Sequence, residues 1–196
     1  MAEAQPVAAY TYEEYLALEQ SSQERYEYYF GKVRAMAGGT RRHSLITLNL
    51  LAALKRSKKP GCLVYGPDMK LELLAQRQYY YPDLMLTCQP DEMASLGKTF
   101  IRQPVLIGEV LSDSTEDLDR NGKFKSYMAI PSLRYYVLIS QHAQVVEVFS
   151  RQSHDFWHYR QYSGRDAVVD LAGIGIQLNL ADIYEDVPLD APADPD

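Results

Sequence analysis

Two mostly apolar stretches of the chain each carry a carboxylate. Residues 79–86 read YYYPDLML and residues 104–111 read PVLIGEVL, with Asp83 in the first and Glu109 in the second. Short apolar runs rich in β-branched and aromatic residues are typical of strands buried on both faces. Burying a carboxylate is costly unless a partner compensates its charge, and a cation is the usual partner. The pattern therefore predicts two buried strands whose acids share a metal ion.

The first third of the chain predicts a helix, a hairpin and a longer helix. Thr11, with Glu14 three residues on, is a capping-box pattern that begins a helix. Residues 25–36 alternate in polarity around a turn at Gly31 and Lys32, which is typical of a β-hairpin. Thr40 is placed to cap a helix that runs to about residue 59. Two neighbouring apolar stripes predict a broad buried face for it: Leu45, Leu48 and Ala52, and Ile46, Leu50 and Leu54.

The rest of the chain alternates less regularly between strand and helix patterns. Strands are predicted over residues 62–65, 69–74, 79–86 and 105–111, with a loop or short helix over 88–103. A helix capped by Ser114 or Thr115 is predicted to end near residue 130, before Pro131. Further strands are predicted over residues 134–140, 144–150 and 156–162, with a last pair within 167–178. This order predicts an α/β (α+β) fold with a central mixed sheet flanked by helices.

Length and composition indicate one soluble domain. The chain has 196 residues, of which 46% are hydrophobic and 23% charged, so we expect one domain over residues 11–187, a flexible N-terminus over 1–10 and an acidic flexible tail over 188–196. No apolar run is long enough to span a membrane, and no secretory signal is visible. Cys62 and Cys88 are isolated and suggest neither a zinc site nor a disulfide. These features predict a reducing, cytoplasmic location.

Charge is distributed unevenly along the chain. The net charge of −6 argues against a nucleic-acid partner, but residues 31–70 hold nine basic residues and one acid. On the long helix we single out Arg41, Arg42, Lys55 and Arg56 as candidates for contacts to a DNA backbone. A solvated helix surface explains the same charges equally well.

Asp83 and Glu109 are 26 positions apart, which allows one loop and a return along a neighbouring strand. Side-by-side pairing would bring the two carboxylates to about 5 Å, where they repel unless a cation or proton lies between them. Oxygen ligands of this kind favour Mg²⁺ or Mn²⁺. Downstream, Asp119, Lys123 and Tyr127 recur every fourth residue and would share a helix face. Lys123 is thus either a group that activates water near the metal or half of an exposed salt bridge with Asp119.

Together, these motifs resemble the PD-(D/E)xK nuclease superfamily, and more specifically its Uma-two family of restriction-endonuclease-like proteins. The stretches that carry the resemblance are TYEEYLAL, ERYEYYFGKV, MAGGTRRHSLITLNLLAAL, VYGPDMKL, YYYPDLML, GEVLSDSTEDLDRNGKFKSY and PSLRYYVLI, which lie between residues 11 and 185. In the usual superfamily pattern the lysine follows the second acid by two residues. Leu111 occupies that position here, so the resemblance assigns the role to Lys123 in the following helix.

The resemblance implies a Mg²⁺- or Mn²⁺-dependent endonuclease that hydrolyses DNA. No predicted element resembles a base-reading recognition helix, so we expect no sequence specificity, and we expect a homodimer because an enzyme that cuts both strands commonly needs two sites. Asp83, Glu109 and the Val110 carbonyl would hold the metal, and Lys123 would position water or offset charge. It also implies site roles for Glu27 and for His43, and the start of the long helix should favour a neutral His43 ring. Two other classes remain open: a catalytically inactive DNA-binding or regulatory module with a nuclease fold, and a structural protein that dimerises through its sheet.

Overall fold

The computed structural model describes residues 9–36 and 38–189. Most of the predicted flexible N-terminus, and all of the acidic tail beyond residue 189, lie outside the described residues.

Short helices and strands follow one another along the chain. The helices are α1 (Tyr12–Ser21), α2 (Arg41–Ser57), α3 (Pro90–Met93), α4 (Phe124–Tyr127) and α5 (Leu180–Ile183), and a π-helical segment, Leu118–Lys123, leads directly into α4. The strands are β1 (Tyr26–Tyr29), β2 (Lys32–Ala35), β3 (Leu63–Tyr65), β4 (Lys70–Leu73), β5 (Gln78–Tyr80), β6 (Leu84–Thr87), β7 (Phe100–Ile101), β8 (Leu106–Val110), β9 (Tyr135–Ile139), β10 (Val145–Arg151), β11 (Trp157–Ser163), β12 (Val168–Leu171) and β13 (Ile176–Asn179).

The strands form two larger sheets and a hairpin. One sheet has the order β2-β1-β5-β4-β7, the second has the order β11-β10-β9-β8-β6-β3, and β12 pairs with β13. Both larger sheets are mixed, because β4 pairs with β7, and β8 with β9, in parallel. The predicted fold class is therefore confirmed, although two sheets share the role expected of one.

The six-stranded sheet is covered on both faces. Alternate residues of β6 and β8 point to opposite sides, as the pleat requires. Leu84 and Leu106 pack with α2 and the β12–β13 hairpin, whereas Met85 and Ile107 pack with β4 and α4. All residues of β6 and β8 are buried, which confirms the prediction from their apolar sequence.

The predicted strand over residues 79–86 is wrong, because the chain forms two strands there. Residues 78–80 pair in the first sheet and residues 84–87 in the second, so the chain crosses between sheets at residues 81–83. Pro82 has no amide hydrogen to donate to a ladder, which favours a break at this point. The amide of Tyr81 donates instead to the side chain of Glu27.

Both predicted caps are present, and one predicted apolar stripe is not buried. Thr11 forms a capping box with Glu14, and the Thr40 side chain accepts from the amide of His43 at the start of α2. The stripe of Ile46, Leu50 and Leu54 is buried. Leu48 belongs to the other stripe but is 62% exposed, so the buried face of α2 is narrower than predicted.

The first hairpin turns one residue earlier than predicted. Tyr29 pairs with Lys32, which leaves Phe30 and Gly31 as the turn. Both have positive φ, 49° and 75°, as two-residue hairpin turns of this hand require.

The expectation that the cysteines stay unpaired is wrong. Cys62 precedes β3 and Cys88 follows β6, and the antiparallel pairing of these strands places the two residues opposite each other, where they form a disulfide. Sequence spacing gave no sign of the bond, because strand pairing brings the two residues together. In the described part of the chain, no helix is long and apolar enough to cross a membrane.

Candidate active site

Asp83 and Glu109 lie on neighbouring strands at the point where the chain enters the second sheet. β6 runs antiparallel to β8, with Leu84 opposite Gly108, so Asp83 and Glu109 come next to each other just beyond that pair. The amide of Asp83 lies 3.4 Å from Glu109 Oε2 and donates to it. The two acids singled out from the sequence are therefore direct neighbours, on the sheet face that also carries Met85 and Ile107.

Asp83 is held by main-chain and side-chain donors. Its Oδ2 atom accepts from the amide of Val110 at 2.7 Å and lies 3.1 Å from Nε2 of His43. His43 reaches this position from the first turn of α2, so the predicted residue from the long helix does join the site. The amide contact also fixes Val110, the predicted contributor of a carbonyl ligand, beside the Asp83 carboxylate.

Lys123 lies among three carboxylates. Its ammonium is 2.9 Å from Asp119 Oδ1, 3.1 Å from Glu109 Oε1 and 3.3 Å from Glu27 Oε1. The Asp119 contact is an ion pair without hydrogen-bond angles. Lys123 is only 5% exposed, so the alternative of an exposed salt bridge is wrong, although the Asp119–Lys123 pair exists. Glu27, which the resemblance added to the site, is buried and belongs to this cluster.

The irregular helix before α4 explains how Lys123 reaches Glu109. Residues 118–123 form π-helix, a form that adds residues to each turn and is frequent at functional sites. Asp119, Lys123 and Tyr127 all turn toward the sheet, and the Tyr127 hydroxyl donates to Glu109 Oε1 at 3.0 Å. Lys123 therefore reaches Glu109 from the helical segment and not from strand β8.

Burial and charge shift the ionisation of the central groups. Burial raises the pKa of Glu109 well above its ordinary value; Lys123 opposes the rise, and the neighbouring carboxylates add to it. Burial lowers the pKa of Lys123, but Glu109, Glu27 and Asp119 outweigh this effect, so its pKa is raised overall and the ammonium is favoured.

The pKa of His43 is shifted in the direction opposite to the one expected at a helix start. Burial lowers the pKa of His43, but the hydrogen bond and negative charge of Asp83, with a smaller contribution from Asp119, outweigh burial and raise it overall. A nearby carboxylate therefore counts for more here than the position at a helix start.

One cleft of about 290 Å³ is lined by Glu27, His43, Asp83, Glu109, Asp119 and Lys123. Other residues at its walls were not assigned a role from the sequence. Gln141 is buried, accepts from the Thr40 hydroxyl at 2.7 Å and donates to the Leu111 carbonyl at 2.8 Å, which ties α2 to the end of β8. Arg34 reaches across to the Ser114 carbonyl at 3.2 Å. Asp119 and Tyr127 were detectable by their spacing to Lys123, whereas Gln141 carried no sequence signal.

The four predicted DNA-contact residues lie at opposite ends of α2. Arg41 and Arg42 are in its first turn, near the cleft, whereas Lys55 and Arg56 are in its last turn. A helix rises about 1.5 Å per residue, so these groups are roughly 20 Å apart. Lys55 and Arg56 also complement the negative end of the helix dipole, which is a sufficient structural role.

The cleft holds an excess of carboxylate side chains. Its carboxylates outnumber its basic side chains: Glu27, Asp83, Glu109, Asp113 and Asp119 line it together with Arg34, Lys123 and His43. Oxygen donors with excess negative charge suit Mg²⁺ or Mn²⁺. Among the residues that the structure describes, however, no group of three or more His, Cys, Asp or Glu side chains is arranged to hold a metal ion. One reason is visible, since the ammonium of Lys123 already occupies the centre of three carboxylates.

Known proteins resemble this chain along nearly its whole length. The model of the Uma2 (Uma-two) family, described as "Putative restriction endonuclease", matches residues 12–181. Two uncharacterized proteins of Synechocystis sp. are 34% and 30% identical to this chain. The matches cover 88% and 81% of this chain and 90% of each relative. A crystal structure of "a putative nuclease belonging to DUF820" from Anabaena variabilis has a TM-score of 0.72 at 18% identity, covering 89% of this chain and 97% of that one. The structural likeness shows that the two proteins share a fold.

Proposed function

Because this chain belongs to the Uma2 family of restriction-endonuclease-like proteins, we propose that it is a metal-dependent endonuclease that hydrolyses phosphodiester bonds in DNA. The observation that carries the proposal is the convergence of Asp83, Glu109 and Lys123, from three different elements, on one cleft. A lysine and two carboxylates at this density are unusual inside a domain, where unpaired charge is costly.

In the proposed reaction, the oxygen of a water molecule bonds to phosphorus while the bond from phosphorus to a sugar oxygen breaks. The water gives up a proton, and the departing oxygen gains one. Asp83, Glu109 and the Val110 carbonyl would hold Mg²⁺ or Mn²⁺. When bound, such a cation lowers the pKa of water and neutralises phosphate charge.

Lys123 and His43 would act on the phosphate directly. The raised pKa of Lys123 keeps it charged, so it offsets the negative charge that grows in the transition state. Glu27 and Asp119 hold that ammonium in place. In its protonated form, which the raised pKa favours, His43 would donate to a phosphate oxygen.

Nicking of supercoiled plasmid tests the proposal. Wild-type protein with Mg²⁺ or Mn²⁺ is expected to nick the plasmid, and EDTA is expected to stop it. Asp83→Asn and Lys123→Met should each lower the rate about a hundredfold or more, as losses of transition-state contacts do. The matched control is Asp91→Asn, which changes an exposed carboxylate on α3. Equal nicking by Asp83→Asn and wild type, or no nicking by wild type on any DNA, would contradict the proposal.

A further inference from the structure

A second groove opens from the wall of the cleft. It has a volume of about 410 Å³ and shares Met36, Gly39, His43 and Asp83 with the cleft. We call it the side groove. Its size is in the range of pockets that take small organic groups, and its shared wall includes the carboxylate of Asp83. A ligand part lying here would therefore adjoin the group that is being cut.

The walls of the side groove are apolar with polar edges. Leu48 and Leu51 of α2, with Met36 and Pro67, supply the apolar surface, and Ser44 and Thr47 supply hydroxyls. Leu48 is 62% exposed, because it lies outside the buried stripe of α2. Its exposed side chain offers an apolar surface against which the ring of a ligand can pack.

A cation stands at the same groove. Arg25 lines it, and its guanidinium carbon lies 5.9 Å from the centre of the Tyr81 ring, which lines the neighbouring cleft. A guanidinium stacked near an aromatic ring can contact a base by its plane or a phosphate by its N–H groups. An apolar surface for a ring, with hydroxyls and a cation at its edges, matches a nucleobase attached to a phosphate, and the Asp83 carboxylate marks the end of the groove next to the cleft.

The catalytic groups are recessed, which restricts the form of the substrate. The side chains of Glu109 and Lys123 are 3% and 6% exposed, and that of Asp83 is 15% exposed. In a duplex, each base is stacked and paired, so it cannot enter a groove beside the cleft without leaving the helix. Taking a nucleotide out of a duplex costs a few kcal/mol, and a single-stranded segment avoids most of that cost.

We propose that the side groove binds one nucleobase next to the scissile phosphate, and that the substrate is therefore a single-stranded segment of nucleic acid. This proposal rests on the nuclease function and adds the class of substrate to it.

The test compares binding of one oligonucleotide in two forms. Fluorescence anisotropy with a labelled 20-mer of DNA, single-stranded or annealed to its complement, is measured with Ca²⁺, which binds oxygen ligands of the same kind as Mg²⁺. The single strand should bind about tenfold more tightly. Leu48→Glu and Arg25→Glu should each weaken single-strand binding about tenfold, as expected when a base loses its stacking surface. The matched controls are Leu96→Glu, which is 73% exposed, and Arg165→Glu, also exposed, neither of which lines the groove.

Each outcome decides between the two proposals. Tighter binding of the single strand, lost in both groove variants and kept in both controls, supports the side groove. If plasmid nicking depends on Asp83 but the duplex binds more tightly, or if the groove variants bind like the controls, the side groove proposal fails and the nuclease stands. If wild type with Mg²⁺ or Mn²⁺ cuts neither the plasmid nor the single-stranded 20-mer, both proposals fail, whatever it binds. Thermal melting of each variant confirms that the exposed substitutions leave the fold intact.

Discussion

Charge compensation around Lys123 holds the candidate site together at the scale of single residues. Its ammonium lies within 3.3 Å of three carboxylates, one of which, Glu109, also accepts from Tyr127. Buried charges persist only when such partners are present, and removal of a partner leaves the other group without compensation. Substitutions that keep shape but delete one polar atom are therefore the most informative.

Tyr127→Phe removes the hydroxyl that donates to Glu109 Oε1 and should lower the free energy of unfolding by about 1–3 kcal/mol, since a buried carboxylate loses a donor. Urea denaturation measures the change. Tyr159→Phe is the control: its hydroxyl also donates to a glutamate, Glu147, but the residue is 48% exposed, so little change is expected. Equal effects of the two substitutions would contradict the buried contact.

The pKa of His43 provides a direct test of its contact with Asp83. NMR titration in EDTA should give a value above the ordinary range, and Asp83→Asn should lower it, whereas Asp91→Asn should not. A raised pKa in the folded state means that this contact stabilises the fold fully below the pKa of unfolded His, about 6.5. The stabilisation is lost as the pH rises through the raised pKa. An unshifted value would show that burial cancels the effect of the carboxylate, and a lowered value that burial outweighs it; either would contradict the prediction.

At the scale of elements, the pairing of β6 with β8 sets the distance between the two acids. A Cβ on Gly108 would lie 2.9 Å from Cγ of Leu84, the residue opposite it. Glycine is thus required where the strands approach, one position from Glu109 and opposite the residue after Asp83.

Gly108→Ala should lower the free energy of unfolding by about 1–3 kcal/mol through overpacking, and should slow nicking because the strands must separate. Chemical denaturation and the plasmid assay report the two effects. Gly97→Ala is the control, since a Cβ there would meet no atom within 4 Å. If Gly108→Ala is as stable and active as wild type, strand separation does not control the site.

At the scale of the whole molecule, the Cys62–Cys88 disulfide cross-links positions 26 residues apart. Closing a loop of that length stabilises a fold by about 3.5 kcal/mol in the chain-entropy model. The Cys62→Ser/Cys88→Ser double variant should lose roughly that amount in denaturation, and dithiothreitol should lower the stability of wild type but not of the variant. Equal stability of wild type with and without dithiothreitol would contradict the prediction.

Local signals in the sequence account for much of the fold. The caps at Thr11 and Thr40 and the apolar strands β6 and β8 follow from residues close in the chain, and the spacing of Asp83 and Glu109 anticipated their pairing. The break after Tyr80, the exposure of Leu48 and the disulfide were not predictable in this way. Each depends on which sheet a segment joins, and that choice is made by contacts distant in sequence.

The position of the Lys123 ammonium depends on the number of residues in the π-helical segment 118–123 as well as on their identity. Each residue of a helix adds a fixed rotation, about 100° in an α-helix. Deletion of one residue between Asp119 and Lys123 would therefore turn one of these side chains away from Glu109. Point substitutions on the outer face of this segment should be tolerated, whereas single-residue insertions and deletions should not. A relative with a deletion at this position is expected to lack a lysine beside the residue that corresponds to Glu109.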